Sequence, residues 1–201
     1  MTRRLRRLGC TMAVTGLLAT ALIAIDPAVA SAGTPSAIGA LATANHAKKA
    51  CSVNSLGGTG FATSCTGNGG QPEYWCADFA RWVWGHEGVS YTADLNALAA
   101  SFYSYGSKHG TLTKTPAVGD AAVFNATSTS TTNIHHVAIV TAVNADGTVT
   151  VENGDFGGES GSEAHFASTS SVVRTVINAT VGTKSSSEGQ YLVDYVRPAG
   201  V

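Results

Sequence analysis

Two short stretches hold residue types able to do covalent chemistry: a cysteine in "PEYWCADFARWVW" (72–84) and the adjacent His135 and His136 that open "HHVAIVTAV" (135–143). A cysteine attacks a carbonyl as its thiolate, and an imidazole that titrates near neutral pH can take the thiol proton and return it to the leaving group. Nucleophilic acyl transfer is therefore the chemistry these residues offer. The plainer reading of Cys76 is a small buried hydrophobe, because Cys76, Phe79, Ala80 and Val83 share one apolar face at helical spacing. A position in the first turn of a helix would instead favour the thiolate, through the unpaired N–H groups and the positive end of the dipole.

The cysteine count bears on that choice. Arg3, Arg4, Arg6 and Arg7, an apolar stretch from about Met12 to Ile25 and the small-x-small run Ala28-Val29-Ala30 read as a secretory leader over residues 1–30. The stretch falls short of the ~20 residues that span a bilayer, so a membrane anchor is not expected and the mature protein is expected outside the cell. Cys10 leaves with the leader. Of Cys51, Cys65 and Cys76, the first two flank the turn-rich loop "CSVNSLGGTGFATSC" and are the expected disulfide, worth ~3 kcal/mol in the chain-entropy picture. Cys76 would then be unpaired; sequence alone leaves other pairings open.

Removing the leader leaves 171 of 201 residues, one domain's worth. Four of the 12 Lys and Arg and one of the 13 Asp and Glu lie in that leader, so the mature net charge is −4 with neutral histidines. The remaining basic residues are scattered, which argues against a nucleic-acid partner. A monomer is expected.

The elements that must position Cys76 and the histidines are read from periodicity. Helices are expected over Ile38 to Ala50, over the segment carrying Cys76 (Pro72 near its first turn, Gly85 and Gly88 near its end) and over Asp94 to Tyr105. Beyond these, 119–124, 135–143, 147–153, 172–177 and 191–196 are short, β-branched and bounded by turn residues, so they read as strands, with "NADG" (144–147) closing a hairpin. Helices first and an antiparallel sheet after them is an α+β order.

His46, His86, His109 and His165 stand in turn-like or helix-end contexts and read as surface residues. In the strand, His136 shares a face with Ala138 and Val140, and His135 shares the other with Val137 and Ile139. Both faces are apolar, so period alone does not choose between them. The small Ala138 beside His136 would leave room for a helix to approach. On the next strand Asn153 keeps the parity of Val149 and Val151, so its carbonyl is the expected partner that fixes the imidazole tautomer. Glu152 and Asp155 are the runners-up, and a polar turn containing all three is the plain alternative.

Taken together, "EYWCADFARWVW", "PAVGDAAVF", "HHVAIVTAV" and "VTVENGDFGG", in this order, resemble a CHAP domain, the cysteine, histidine-dependent amidohydrolase/peptidase family of bacterial cell-wall enzymes, over roughly residues 44–198. The resemblance implies a papain-like α+β fold with N-terminal helices packed on an antiparallel sheet. It implies a segment 31–43 ahead of a catalytic domain over 44–201, Cys76 as nucleophile and His136 as base. Many members carry a Glu-Gly-Asn type segment where this chain has Asn153-Gly154-Asp155, and a Gln where this chain has Trp75. Asparagine thus replaces the expected glutamate, and Asp155 replaces the family's asparagine.

The resemblance further implies hydrolysis of amide bonds in peptidoglycan outside the cell. Tyr74, Trp75, Trp82 and Trp84 are candidates to line a substrate groove, although aromatics on a helix more often belong to the core. The chemistry requires no cofactor or metal. Asp155, Glu159 and Glu163 are acidic, but their spacing fits no calcium loop. Two other readings use the same residues: a secreted wall-binding module without turnover, for which Asn in place of Glu speaks, and an enzyme acting on protein.

Overall fold

The computed structural model describes residues 33–201. The leader reading, including Cys10, lies outside the described residues. Thr34 caps the first helix, α1 (Pro35–Ala44), by accepting the Ala37 N–H, with Pro35 at the start where its missing N–H costs nothing. After it come α2 (Cys76–His86), α3 (Ala100–His109), β1 (Leu112–Thr113), β2 (Ala121–Asn125), β3 (His136–Val143), β4 (Thr148–Phe156), α4 (Glu163–Thr169), β5 (Ser171–Asn178) and β6 (Tyr191–Val196). The six strands form one antiparallel sheet in the order β1-β6-β2-β3-β4-β5, so the fold is α+β as expected.

Local polar side chains decide where two helices depart from the expected bounds. α1 stops at Ala44 because buried Asn45 takes over the backbone's partners: its Nδ2 donates to Leu41 O and its Oδ1 accepts from Ser55 N. α3 starts at Ala100 rather than Asp94. Residues 92–94 form a single 3₁₀ turn, and Asn96 accepts the Leu98 N–H, holding a turn ahead of the helix. β1 and α4 carry no signal in the sequence, being two and seven residues long and too short to show a period.

The sheet is covered on both faces, which is why β2 and β3 read as unbroken apolar runs. On one face α1 and α2 pack over Val137 and Ile139. α2 is buried nearly all round, and Phe61 gathers the rings of Trp75, Phe79 and Trp82 at centroid distances of 5.1–5.5 Å. Its approach to β4 depends on Gly154, where a Cβ would lie 2.5 Å from the Cβ of Phe79. On the opposite face Phe124, Ala138, Val140, Val151, Leu192 and Tyr195 pack beneath Ala179 and Val181, in the segment joining β5 to β6. Cys51 and Cys65 are bridged, so Cys76 is the unpaired cysteine among the described residues. No described helix is long and apolar enough to cross a membrane.

Candidate active site

Cys76 is the first residue of α2 and only 7% exposed. The turn before it is held by Trp75, whose indole N–H lies 2.9 Å from Ser170 Oγ and 3.1 Å from Ala167 O. The backbone N–H groups of Ala77 and Val137 favour the thiolate and lower the pKa of the thiol. Burial nevertheless pushes the thiol up to about 12, with the Asp155 carboxylate adding to the effect. Pro72, expected near the first turn, lies ahead of the helix, which begins at Cys76 itself. A helix end contributes only ~0.3–1 kcal/mol, less than the desolvation of a buried thiolate costs.

His136 opens β3 and is also buried. Its Nε2 lies 2.9 Å from Asn153 Oδ1, which can only accept, so Nε2 carries the proton and Nδ1 is left free to receive one. Asn153 is fixed in turn, its Nδ2 donating to Val173 O (3.1 Å) and Thr175 Oγ1 (2.9 Å) on β5. Phe124 and Phe156 flank the imidazole. Burial lowers the pKa of His136, opposed by the Glu188 carboxylate and the Asn153 hydrogen bond. The thiol and the imidazole are thus both held toward their neutral forms.

The route by which the helix meets the histidine differs from the sequence expectation. His136 and Asn153 lie with Ala138 on the face turned away from α1 and α2, and the opening beside Ala138 is filled by the second core. α2 instead comes in through Gly154 on the other face, and Cys76 reaches the start of β3 at the Val137 N–H. Cys76, His136 and Asp155 then line one cavity of about 630 Å³ together with Tyr74, Leu98 and Gln190. A shallower depression of about 370 Å³ beside Arg81, Trp82 and His86 contains none of these three.

The other expected residues separate. Glu152, a runner-up for the third position, points to the helix face and is fully buried against Arg174 (Nη2 to Oε1, 2.7 Å) and His46 (Nδ1 to Oε2, 3.1 Å), so it has no part at His136. Asp155 does face the cavity. It has a left-handed φ of 56°, accepts from Ser170 Oγ (2.7 Å), and is pushed up to about 6 by burial, against the lowering effect of the Ser170 hydrogen bond and the Trp75 backbone N–H. Tyr74 lines the cavity and is half exposed, but Trp75 is wholly buried against Phe61 and lines no groove. Glu159 pairs with His165 and Glu163 accepts from the Tyr74 N–H; among the described residues no group of three His, Cys, Asp or Glu side chains is placed to hold a metal ion.

Three residues near the site have no signal in the sequence. Thr175 lies on β5, while Glu188 and Gln190 lie in the turn "SSSEGQ" (185–190), a composition that reads as a solvated loop. Glu188 is buried, its Oε2 3.9 Å from His136 Nε2, and Thr175 Oγ1 donates to its Oε1. The side-chain carbonyl of Gln190 is buried without a partner at the cavity wall.

Comparison with known proteins bears on the same segment. The chain is similar, at 20% identity and a TM-score of 0.38, to an N-acetylmuramoyl-L-alanine amidase structure from Staphylococcus aureus, with 61% of this chain and 31% of that chain covered. It is similar, at 19% identity and a TM-score of 0.44, to the crystal structure of Ly7917, with 82% of this chain and 62% of that chain covered. The match thus spans about a third of the first relative and under two thirds of the second. No curated protein matches significantly. Residues 66–155, the segment holding Cys76, His136 and Asn153, match the family described as the CHAP domain.

Proposed function

We propose that the protein is a secreted cysteine hydrolase that cleaves amide bonds of peptidoglycan, with Cys76 as nucleophile, His136 as general base and acid, and Asn153 orienting the imidazole. The match to the CHAP domain supports a hydrolase acting on peptidoglycan. The observation that carries the mechanism is the His136 Nε2 to Asn153 Oδ1 contact of 2.9 Å, which leaves Nδ1 as acceptor in the cavity that Cys76 lines. The domain is assigned to 44–201 of a chain whose residues 1–30 are a leader, and the mature protein acts as a monomer outside the cell.

Because burial favours both neutral forms, proton transfer accompanies attack instead of preceding it. The Cys76 sulfur bonds to the amide carbonyl carbon as its proton passes to His136 Nδ1, and the oxyanion is met by backbone N–H groups at the start of α2. The imidazolium protonates the departing amine nitrogen, the C–N bond breaks, and a thioester remains. Water then attacks the thioester, giving its proton to His136, and a carboxylic acid and the free thiol are released.

The test sets the secreted form against purified peptidoglycan and, in parallel, an unfolded protein. Release of soluble wall fragments carrying new amino groups is expected, falling by at least about 10³-fold in Cys76→Ser and in His136→Ala. Cleavage of the protein substrate alone would assign the same residues to a peptidase. Sedimentation with the wall without turnover would favour the binding module, the reading to which Asn153 in place of a glutamate and the raised Cys76 pKa lend support.

A further inference from the structure

Glu188 is the buried acid closest in kind to what the third position lacks. Its side chain is wholly shielded from solvent, yet one of its oxygens, Oε2, has no hydrogen-bond partner. An orphaned buried carboxylate oxygen is costly and uncommon, and it calls for an explanation. The orphan lies 3.9 Å from His136 Nε2, beyond hydrogen-bond range but well within the reach of a charge.

The other oxygen closes a relay back to the same imidazole. His136 Nε2–H donates to Asn153 Oδ1, Asn153 Nδ2 donates to Thr175 Oγ1, and the Thr175 hydroxyl donates to Glu188 Oε1, so each bond is oriented toward the carboxylate. The turn that carries Glu188 is itself fastened. Ser185 Oγ accepts the Glu188 N–H, Ser185 O accepts the Gly189 N–H, and Ser187 Oγ donates to Val176 O of β5. The remaining titratable groups about His136 are Cys76 from α2, Asp155 from the end of β4, and its neighbour His135, all on the cavity side.

We infer that Glu188 is a positioning residue of this site, supplying from the β5–β6 turn the negative charge that Asn153 cannot, and thereby stabilising the imidazolium that His136 becomes when it takes the Cys76 proton. Asn153 fixes the tautomer and Glu188 provides the counter-charge, two tasks that a single glutamate would combine. The division follows from geometry: a neutral amide can bond to both His136 and β5, whereas the charge sits one hydroxyl farther on, out of solvent.

The inference rests on the Cys76–His136 reading, and its test separates the two. The His136 imidazole is titrated by NMR, assigned against His136→Ala, and the rate of Cys76 alkylation by iodoacetamide is followed by intact mass, in the parent, Glu188→Gln and Glu188→Asp. Glu188→Gln keeps an acceptor for Thr175 and removes the charge. It is expected to lower the His136 midpoint by about one to three pH units, the range for an opposite charge at this distance. Alkylation at neutral pH is expected to fall by about tenfold or more, with Glu188→Asp intermediate in both readouts. A folded Glu188→Gln with an unchanged His136 midpoint overturns the inference and leaves the Cys76–His136 pair standing. If Glu188→Gln does not fold, an unchanged midpoint in Glu188→Asp, whose carboxylate is drawn back by one methylene, overturns it equally. A parent whose Cys76 is inert with and without His136 overturns both readings.

Discussion

Two glutamates lie wholly buried beside histidines on opposite faces of the same sheet, and they are used differently. Glu152, on the face covered by α1 and α2, has both oxygens taken, one by the Arg174 guanidinium and the other by His46, which is itself half exposed. Glu188, on the other face, has one oxygen bonded to Thr175 and the second bonded to nothing, 3.9 Å from a buried histidine. A buried charge with every lone pair satisfied ties elements together, here β4 to β5 and to the chain just after α1. A buried charge left partly unsatisfied beside a histidine destabilises the resting fold, and it offers its free oxygen to a positive charge that arises during reaction. Burial alone does not separate the two roles; the inventory of partners does.

The largest effect expected from this contrast is on stability. Glu152→Ala removes the charged hydrogen bonds that a fully buried carboxylate accepts from the Arg174 guanidinium, which is 45% exposed and can turn to water, and should cost about 3 kcal/mol or more in denaturant unfolding. The His136 titration midpoint of the remaining folded protein should not move. A midpoint that moves with Glu152 would mean that the two faces are electrically one site and would dissolve the comparison.

Asp155 should give a smaller effect with a defined pH window. Its folded pKa of about 6 lies above the ordinary 3.8, so between pH ~4 and ~6 the folded protein holds a proton that the unfolded chain releases. Stability therefore falls as pH rises through that window and the penalty is constant above it, reaching up to about 3 kcal/mol. Asp155→Asn should match the parent in stability near pH 4 and exceed it by up to that amount at pH 7. The same change removes a negative charge facing Cys76, so alkylation of the thiol at pH 7 should rise several-fold, by about the effect of one pKa unit or less. A stability difference that is flat from pH 4 to 7 would show that Asp155 carries no raised pKa.

The smallest effect belongs to His46. Its side chain is 48% exposed, so His46→Ala should cost no more than about 1 kcal/mol, because the vacated position opens to solvent and water can replace the imidazole at Glu152 Oε2. A loss comparable to that of Glu152→Ala would make His46 an integral member of the buried pair and would erase the difference between an exposed and a buried histidine partner.

Much of the site is legible because local rules act over short stretches. The 76, 79, 80, 83 spacing locates the helix, the apolar runs locate β2 and β3, and strand parity selects Asn153 over Glu152, since residues one apart in a strand face opposite sides. Parity does not say which face a helix will cover. Ala138 reads as the opening, whereas the close approach occurs at Gly154, a position whose missing Cβ matters only once Phe79 is known to pack there. Trp75 reads as either a groove or a core residue, and the Phe61 ring and the Ser170 hydroxyl that make it core come from segments distant in sequence.

The amino-acid sequence by itself determined the α+β order, and it favoured the Cys51–Cys65 bridge and the His136–Asn153 contact over alternatives that it left open. Periodicity and cysteine spacing are properties of neighbouring residues, although a bulge between Val140 and Ala142 shifts the β3–β4 register by one and brings Asn153 onto the His136 face. Tertiary structure alone decided that Cys76 would be buried deeply enough to rest as a thiol, that Glu152 would serve the fold, and that Glu188, 52 positions beyond His136 in a serine-rich turn, would lie beside it. Desolvation and long-range charge depend on which distant segments close over a group, and no local pattern records that.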